Sequence, residues 1–338
     1  MPAEKIELSS VIISRTDSIG DVMLTLPVCG IIRKAFPLCK IIFLGRSYTR
    51  QVVACCEYVD EFINWDELIG LNEEQQADAI RAVGADAILH IFPDKKIAYA
   101  ARKADVPIRV GTSHRFFHLF TCNRRIDFTR KKSDLHEAQL NMMLLKGIGM
   151  ETAYSLPDLD SYSGFKRIPE LKQEWQVLLK PGKFHLILHP RSKGSAREWG
   201  LDNFSKFIAL LPEEKFQLFV SGTKEEGANM KEFIDSNPRL TDLTGKMKLD
   251  EFIAFIHSVQ GLVAASAGPL HIASALGKKA IGIFAPMRPI HPGRWAPIGI
   301  QAEYLVLDKD CSDCRKSENC HCIREISPGQ VAAKFMYP

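Results

Sequence analysis

The chain has 338 residues, of which 46% are hydrophobic and 25% are charged, and its formal net charge is +4. The length suits two domains of ordinary size, and the composition is that of a globular protein and excludes a disordered chain. The charge is too small to indicate a nucleic-acid partner, and neither a bilayer-spanning apolar run nor a secretory signal is present, so we expect a cytoplasmic protein.

In the first half of the chain, short apolar segments alternate with helical ones. The predicted strands span residues 11–15, 40–45, 61–65 and 86–92, and the predicted helices include 72–83 and 133–149. Strands rich in Ile, Val and Leu that alternate with amphipathic helices form a parallel sheet covered on both faces. We therefore predict a Rossmann-like domain over residues 1–165. The segment 151–170 is rich in Pro, Ser, Asp and Gly, which is typical of a linker.

The alternation restarts in the second half of the chain. The predicted strands span residues 184–190, 216–222, 261–266 and 279–286, with helices over 201–211 and 249–260. This pattern predicts a second Rossmann-like domain over residues 166–325, and an α/β fold with a ligand cleft between two doubly wound domains that faces the carboxyl ends of the strands. The remaining residues, 326–338, form a predicted helix that we expect to cross back onto the first domain.

The first candidate motif, Arg-Thr-Asp-Ser-Ile-Gly-Asp, follows the first strand directly and spans residues 15–21. Gly20 permits a tight turn, and Asp21 falls at the start of the next helix. The carboxylates of Asp17 and Asp21 are four residues apart in this loop, where either could reach a substrate hydroxyl. The alternative is that Asp21 only caps the helix and interacts with its dipole.

The second motif is a basic loop after the strand at 184–190. It contains Arg191, Ser192, Lys193, Gly194, Ser195 and Arg197. Hydroxyls, backbone amides and cations that converge after a strand suit the binding of a diphosphate. The alternative is an ordinary solvated basic loop.

The third motif runs from Ser266 to His271 and lies between a small-residue strand and a helix. Gly268 and Pro269 at the start of that helix leave backbone N–H groups directed outward, which is typical of an anion site. His271 is then a candidate donor to a phosphate, although a histidine at a helix start is more commonly satisfied within the protein.

Four of the nine cysteines crowd into the tail, at Cys311, Cys314, Cys320 and Cys322. A C-x₂-C followed by C-x-C supplies four thiolates, so a structural zinc site is one hypothesis. A loop of reduced thiols is the other, because cysteines in a reducing cytoplasm are free by default.

The segment 109–132 combines cations with aromatic side chains. The cations are Arg109, His114, Arg115, Arg124, Arg125, Arg130, Lys131 and Lys132, and the phenylalanines are Phe116, Phe117, Phe120 and Phe128. Such a segment suits contact with an anionic lipid surface, or with an acceptor that carries phosphate and carboxylate groups. The alternative is that the rings pack beneath a loop and the cations are solvated.

The three motifs, in this order and with these separations, resemble glycosyltransferase family 9, the lipopolysaccharide heptosyltransferases. The matching positions are Arg15, Asp17, Gly20, Asp21 and Pro27, then His189, Pro190, Ser192, Arg197 and Trp199, then residues 268–277. Arg109, Gly111, His136 and Asn141 also resemble family positions, as does the cysteine-rich tail. The resemblance covers nearly the whole chain.

The resemblance implies a GT-B fold and an inverting transfer that needs no metal. The first domain would bind an acceptor such as the lipopolysaccharide core, and the second a nucleotide-diphosphate sugar, typically ADP-heptose. Asp21 would be the general base. The donor would be held by Ser192, Lys193, Arg197, Ser266, Gly268 and His271, with Glu225 or Glu226 near the nucleoside. The acceptor would be bound by Asp17, Arg109, Arg115, Arg124 and Arg125.

The chain also departs from the family pattern around the donor. Ala265, Ser266 and Ala267 stand where the family has N-D-S/T, Arg191 replaces a usual glycine, and Arg288 replaces an acidic residue. These changes alter the charge of the predicted donor pocket. They leave open a second hypothesis, a catalytically diminished protein that binds nucleotide sugars or regulates. A sugar-nucleotide epimerase of the same architecture would not account for the opening motif.

Overall fold

The computed structural model of the protein describes residues 7–308, 311 and 321–336. Contacts between residues divide the chain into two compact units, Met1–Arg167 and Ile168–Pro338. Each unit is built on a parallel six-stranded sheet. No helix within the described ranges is both long enough and apolar enough to cross a membrane.

The first unit has a sheet with strand order β3-β2-β1-β4-β5-β6. Its strands are β1 (Ser10–Ser14), β2 (Lys40–Gly45), β3 (Glu61–Asn64), β4 (Ala87–His90), β5 (Ile108–Thr112) and β6 (Arg124–Ile126). β1 pairs in parallel with β2 on one side and β4 on the other. The direction of winding reverses between β1 and β4, and such a switch point leaves a crevice at the carboxyl ends of the strands.

Helices cover this sheet on both faces, as the apolar strands require. They are α1 (Ile19–Met23), α2 (Leu26–Ala35), α3 (Arg50–Ala54), α4 (Trp65–Leu68), α5 (Glu73–Arg81), α6 (Lys95–Lys103), α7 (His118–Thr121), α8 (Glu137–Met142) and α9 (Leu156–Ser161). Short 3₁₀ turns lie at Ser47–Thr49, Arg130–Lys132 and Met143–Ile148. One core cluster joins Ile12, Ile42 and Ile88 of the strands to Ile80 of α5 and Ile97 of α6, all fully buried.

Residues 151–167, which fall in the predicted linker at 151–170, are part of the first unit, and the boundary between the units lies within the predicted segment, after Arg167. These residues form α9, which begins with a capping box between Ser155 and Asp158. The chain then returns to the first unit, where Glu57 donates its backbone N–H to Gly164 at 2.7 Å and Arg167 donates to the carbonyls of Val59 and Glu57. The polar composition that indicated a linker serves instead to cap a short helix and anchor its exit.

The second unit repeats the architecture with strand order β12-β11-β10-β7-β8-β9. Its strands are β7 (Phe184–His189), β8 (Phe216–Val220), β9 (Leu240–Asp242), β10 (Gly261–Ala265), β11 (Lys279–Phe284) and β12 (Ala302–Val306). Its helices are α10 (Gln173–Gln176), α11 (Leu201–Leu210), α12 (Lys224–Asn229), α13 (Lys231–Ser236), α14 (Leu249–Ser258), α15 (Gly268–Ala275), α16 (Pro292–Trp295), α17 (His321–Arg324) and α18 (Pro328–Met336). Here the winding reverses between β7 and β10.

The C-terminal helix α18 packs within the second unit, against α11. The expected crossing of this helix to the first domain stays a prediction. Val331, Ala332 and Phe335 are part of the core of this unit. The Phe335 ring lies 6.1 Å from both Phe184 and Phe207. Burial of these three apolar side chains holds α18 against the second unit.

Candidate functional site

The first motif forms the loop after β1 and the start of α1, at the switch point of the first unit. Ser18 is the N-cap of α1 and accepts the N–H of Asp21 at 3.5 Å. The Ser18 hydroxyl in turn donates to Oδ2 of Asp21 at 2.5 Å. Asp21 therefore lies in the first turn of α1, as predicted. Its carboxylate accepts hydrogen bonds from side chains, and the residue that caps the helix is Ser18.

Arg15 organises the carboxylates of this loop. Its side chain is 2% exposed. Nε donates to Asp17 at 2.6 Å, Nη2 donates to Oδ1 of Asp21, and Nη1 donates to Glu137 at 3.0 Å and Asn141 at 3.1 Å. One guanidinium thus fixes both motif carboxylates relative to α8. This use of several directed donors is what a planar guanidinium offers and an ammonium does not.

A second guanidinium completes the network beneath the loop. Arg130 donates to Glu137 at 2.8 Å and to Asn141 at 3.0 Å. The Glu137 side chain is only 1% exposed, so its charge is balanced by the two arginines and not by water. Neither residue was predicted for this site: Arg130 was assigned to the cationic segment 109–132, and Glu137 was not among the candidate site residues. An acidic residue directly after the capping His136 was the one available signal.

The charges shift the ionisation of the network. Burial opposes the charge of Arg15, but Asp17, Asp21 and Glu137 together raise the pKa of its guanidinium. Burial raises the pKa of Asp17 to about 6, against the opposing effect of Arg15. A carboxyl group with this pKa is still largely ionised at pH 7, so its ionisation does not exclude Asp17 as a base. Asp21 stays the candidate base that the family resemblance indicates, with Asp17 beside it in the same loop.

An exposed aromatic ring borders the same loop. The hydroxyl of Tyr48, which follows β2, donates to the backbone carbonyl of Asp17 at 2.5 Å. The Tyr48 side chain remains largely exposed. The sequence analysis did not identify this residue, because nothing in its local pattern distinguishes it from a surface tyrosine.

Three of the predicted acceptor-binding arginines are engaged by the backbone of their own unit. Arg109 donates Nε to the carbonyl of Thr121 at 2.7 Å and also donates to Val106. Arg124 donates to Gly147 at 2.9 Å, and Arg125 donates to Cys122 at 3.1 Å. Arg115 is exposed. The structure therefore gives the first three a structural use and brings none of these four arginines into the hydrogen-bond network of Asp17 and Asp21.

The second motif forms the loop after β7, beside the switch point of the second unit. Ser192 is buried and donates its hydroxyl to the carbonyl of Ala196 at 3.0 Å. Lys193 and Gly194 turn the chain with positive φ values of 49° and 77°, and Lys193 is exposed. Arg191 pairs with Glu198 at 2.7 Å. The extra cation relative to the family pattern is thus balanced within the loop.

The third motif begins α15 on the neighbouring strand β10. Gly268 is the first residue of the helix, and the N-cap Ala267 makes no side-chain hydrogen bond to it. Ser266 is half-buried, and His271 lies buried one turn into the helix. Because β7 and β10 are adjacent and parallel, the second and third motifs follow neighbouring strand ends. This is the arrangement expected of an anion site.

The acidic candidates follow β8, the strand on the other side of β7. Glu226 is committed to a capping box, in which its carboxylate accepts the N–H of Thr223 at 2.7 Å. Glu225 is exposed. His189, at the end of β7, contacts the Ser221 hydroxyl at 2.9 Å, and burial lowers its pKa to about 4 against the opposing effect of Glu226 and Glu198. His189 is therefore neutral near pH 7.

The cysteine tail falls largely outside the described residues. Cys314 and Cys320 are not among them, whereas Cys311 is half-buried and Cys322 is buried. Within the part of the chain that the structure describes, no group of three or more His, Cys, Asp or Glu side chains is brought together as a metal site. The zinc hypothesis stays a prediction.

The chain matches a known family over most of its length. The profile of "Glycosyltransferase family 9 (heptosyltransferase)" matches residues 75–322. Lipopolysaccharide heptosyltransferase 3 of Escherichia coli is 22% identical to this chain over 299 residues, which cover 83% of this chain and 85% of that protein.

Solved structures of glycosyltransferases share the fold of this chain. A family 9 glycosyltransferase from Veillonella parvula aligns with a TM-score of 0.80 at 20% identity, over 98% of each chain. ADP-heptose lipopolysaccharide heptosyltransferase II of Escherichia coli aligns with a TM-score of 0.74 at 16% identity, over 97% of each chain. The predicted GT-B fold, with two Rossmann-like units, is confirmed.

Proposed function

The chain belongs to glycosyltransferase family 9 and is a glycosyltransferase, and from this premise we propose that it transfers a sugar from a nucleotide-diphosphate donor to a glycan acceptor with inversion. The donor is ADP-heptose or a close relative. The acceptor is the lipopolysaccharide core or a related glycan. The observation that carries the proposal is the Asp21 carboxylate, which Arg15 and Ser18 hold at the switch point of the first unit.

In the proposed step, Asp21 accepts the proton of the acceptor hydroxyl. The hydroxyl oxygen forms a bond to the anomeric carbon of the donor, and the bond from that carbon to the diphosphate oxygen breaks. A single displacement inverts the anomeric configuration. General-base assistance of this kind typically contributes 10²–10⁴-fold to the rate.

The departing diphosphate takes up negative charge, which the second unit would stabilise. Arg197 and Lys193 supply cations from the loop after β7, and the uncapped amides at the start of α15, with His271, supply hydrogen-bond donors. Fixed donors aimed at developing charge are commonly the largest single contribution to catalysis. These groups would serve without a metal ion, so we propose that none is required.

The proposed site of action is the inner face of the cytoplasmic membrane, where the protein is peripheral. An acceptor of this class is carried on a lipid, so the enzyme must meet it at a membrane surface. Phosphate groups on such an acceptor would be matched by exposed cations of the first unit, which include the predicted acceptor residues Arg115 and Arg125.

The decisive experiment is a donor screen. Calorimetric titration with ADP-, UDP-, GDP- and dTDP-sugars should identify one nucleotide class, and we expect ADP. Incubation with that donor and lipopolysaccharide precursors should then yield product whose anomeric configuration, read by NMR, is opposite to that of the donor. Retention of configuration would contradict the single displacement.

The altered residues around α15 give the screen a second purpose. Ala265, Ser266 and Ala267 offer no acidic side chain to donor hydroxyls. Tight binding of ADP with no preference for ADP-heptose over other ADP-sugars would mean that these altered residues change the recognition of the sugar and not that of the nucleotide. Binding of no nucleotide sugar would contradict the proposed activity altogether.

A further inference from the structure

The first unit has an exposed surface of aromatic and cationic side chains on α6 and α7 that the proposed chemistry does not use. We define the α6–α7 surface by six residues: Lys95, Lys96 and Tyr99 of α6, and Arg115, Phe116 and Phe120 in and before α7. The two helices pack against each other, so these residues belong to one part of the unit. Arg115, Phe116 and Phe120 lie within the segment 109–132, for which the sequence predicted contact with an anionic lipid surface. The three residues of α6 lie outside it.

The aromatic half of this surface is exposed to an unusual degree. The Phe116 side chain is 76% exposed and Phe120 is 52% exposed, and their rings form an edge-on pair with centroids 5.3 Å apart. Tyr99 is 40% exposed, with the Lys95 ammonium 5.9 Å from its ring centroid. Contiguous exposed aromatic rings are uncommon on a protein surface unless a partner covers them.

Other phenylalanines of the same segment show the contrast. Phe117 is half-buried and packs against His118, with ring centroids 4.6 Å apart. Phe128 lies beneath the Arg130 guanidinium, at 5.6 Å from the ring centroid. Other side chains cover these two rings in part, whereas Phe116 and Phe120 are exposed. Exposure is therefore not a general property of the phenylalanines in this segment.

The charged half consists of cations whose charge is not neutralised locally. Lys95, Lys96 and Arg115 are exposed, and among the described residues no carboxylate lies within ion-pair distance of them. Their neighbours differ: Lys103 pairs with Glu74 at 2.9 Å and His114 with Asp127 at 2.8 Å.

The nearest acid in sequence does not cancel this charge. Asp94 is the N-cap of α6 and accepts the Ile97 N–H at 3.1 Å. Its carboxylate is thus directed to the helix amides. Positive charge is left beside the aromatic rings.

The surface lies near the carboxyl ends of the strands, on the same side of the sheet as the loop that carries Asp21. Lys95 and Lys96 begin α6 after β4, and Arg115 and Phe116 follow β5. β4 and β5 are the next two strands after β1 in the sheet order. At roughly 5 Å per strand, the loops after β1 and β5 are separated by about 10 Å along the edge.

We propose that the α6–α7 surface docks the protein on an anionic phospholipid bilayer, with Phe116 and Phe120 inserted at the headgroup boundary and the cations among the lipid phosphates. Charge complementarity identifies this occupant, because unneutralised lysines suit the negative lipid headgroups. The exposed aromatic rings beside them suit the apolar region beneath those headgroups. The inference rests on the proposed lipid-borne acceptor for its purpose, since docking here brings the Asp21 edge to the membrane.

The test is sedimentation of the full chain with vesicles of phosphatidylcholine alone and of phosphatidylcholine mixed with phosphatidylglycerol. The wild type should bind the anionic vesicles, and raised salt should weaken that binding. Lys95→Ser with Lys96→Ser should weaken it by about tenfold or more, since each cation near the surface contributes about 1 kcal/mol, or fivefold. Phe116→Ser with Phe120→Ser should weaken it by a further tenfold or more.

Control variants change exposed lysines and an exposed apolar side chain elsewhere. Lys206→Ser with Lys215→Ser, and Ile300→Ser, alter exposed side chains of the second unit and should leave vesicle binding unchanged. Thermal unfolding of every variant establishes that the altered surface is still folded. Equal binding to both kinds of vesicle, no binding, or equal losses in the control variants would overturn the proposal.

Two further measurements separate this inference from other occupants and from the proposed function. If Phe116→Ser with Phe120→Ser changes the oligomeric state in sedimentation velocity, the surface joins copies of this chain and the lipid assignment is wrong. Nucleotide titration of the docking variants should match the wild type. Failure of every nucleotide sugar to bind would remove the transferase proposal while leaving the vesicle result intact.

Discussion

The loops at the carboxyl ends of the two sheets are built from different materials. In the first unit, buried and half-buried side chains of opposite charge pair with one another, with Arg15 and Arg130 against Asp17, Asp21 and Glu137. In the second unit, the corresponding loops combine positive-φ turns and the start of α15 with cations, of which Arg191 pairs with Glu198 inside the loop. A proton acceptor must be aimed, which needs neighbouring side chains. A diphosphate must be surrounded, which backbone amides do well.

This difference has a consequence for mutation. In the first unit Arg15, Arg130 and Glu137 each have several partners, so loss of one disturbs the rest. In the second unit a side chain can be removed while the backbone donors stay in place. We therefore expect large effects when Asp21 or one of these shared partners is changed, and graded effects in the second unit.

The largest effect is expected for Asp21→Asn. The amide cannot accept the acceptor proton, so turnover should fall by 10²–10⁴-fold, the usual range for loss of a general base. Nucleotide affinity should stay near the wild-type value, because the residue belongs to the first unit. Rates measured at saturating donor, together with calorimetric titration of the nucleotide, separate the two quantities.

Retention of more than about a third of wild-type turnover by Asp21→Asn would make the base assignment wrong. Asp17→Asn is the comparison within the same loop. We expect it to retain much more activity, because it leaves the Asp21 carboxylate in place with its hydrogen bonds from Arg15 and Ser18.

The next effect is expected on folding. Glu137→Gln keeps the shape of the side chain but leaves Arg15 and Arg130 without their shared buried carboxylate. Breaking a buried ion pair by removing one partner typically costs about 3–5 kcal/mol of unfolding free energy. Urea denaturation followed by circular dichroism gives this quantity.

Glu57→Gln serves as its control, since Glu57 forms a surface ion pair with Lys166 at 2.6 Å. Exposed pairs of this kind contribute at most about 1 kcal/mol. If both variants lost similar amounts, the buried network would not differ in strength from an ordinary surface contact.

How much of this the sequence could predict depends on where each element lies. The eight predicted strands are all present, and seven of them are interior strands, which in a parallel sheet are continuous apolar runs; the eighth, β3, lies at an edge. β6, β9 and β12 were missed, and each lies at the edge of a sheet, where a strand can be short and partly polar. β5 is interior, but its sequence Ile-Arg-Val-Gly-Thr has no apolar run.

The same limit applies to the site. Loops that directly follow a strand could be identified, because motif and strand are adjacent in sequence. The partners of Arg15 could not, since Glu137 and Asn141 are 122 and 126 residues away and meet it only in the folded unit. The hydrogen bonds of the arginines at 109, 124 and 125 could not be predicted for a related reason: a bond to a backbone carbonyl leaves no mark in a sequence. Their binding of an acceptor stays a prediction.

A graded effect is expected in the second unit. Arg197→Ala should weaken binding of the nucleoside diphosphate by about 1.5–3 kcal/mol, the range for a hydrogen bond to a charged group, while the remaining amides of α15 still bind. Arg191→Ala is the matched control and should change affinity less, because that guanidinium pairs with Glu198. Calorimetry with the diphosphate and the monophosphate locates the contact. Equal losses for both nucleotides would move Arg197 away from the terminal phosphate.

The smallest effect concerns pH and sharpens the contrast between the two units. Burial raises the pKa of Asp17 to about 6, above its ordinary value of 3.8. The folded protein therefore binds this proton more tightly than the unfolded chain does. The stability that follows is fully present below the ordinary value and is lost as the pH rises through about 6.

Buried histidines give the opposite trend in both units. Burial lowers the pKa of His90 to about 3 and that of His189 to about 4, so their contributions are present above the ordinary value of 6.5 and are lost as the pH falls. Asp17→Asn retains both histidines. The difference in unfolding free energy between the wild type and Asp17→Asn therefore isolates the carboxyl group.

That difference should move against the wild type by on the order of 1–2 kcal/mol between pH 4 and pH 7. Urea titrations at several pH values across this range measure it. A difference that stays constant would mean that Asp17 titrates as it does in the unfolded chain, and that Arg15 offsets the whole cost of its burial. The charged side of the comparison would then be balanced at every pH, and only the carboxylate of Asp21 would distinguish it from the backbone-built loops of the second unit.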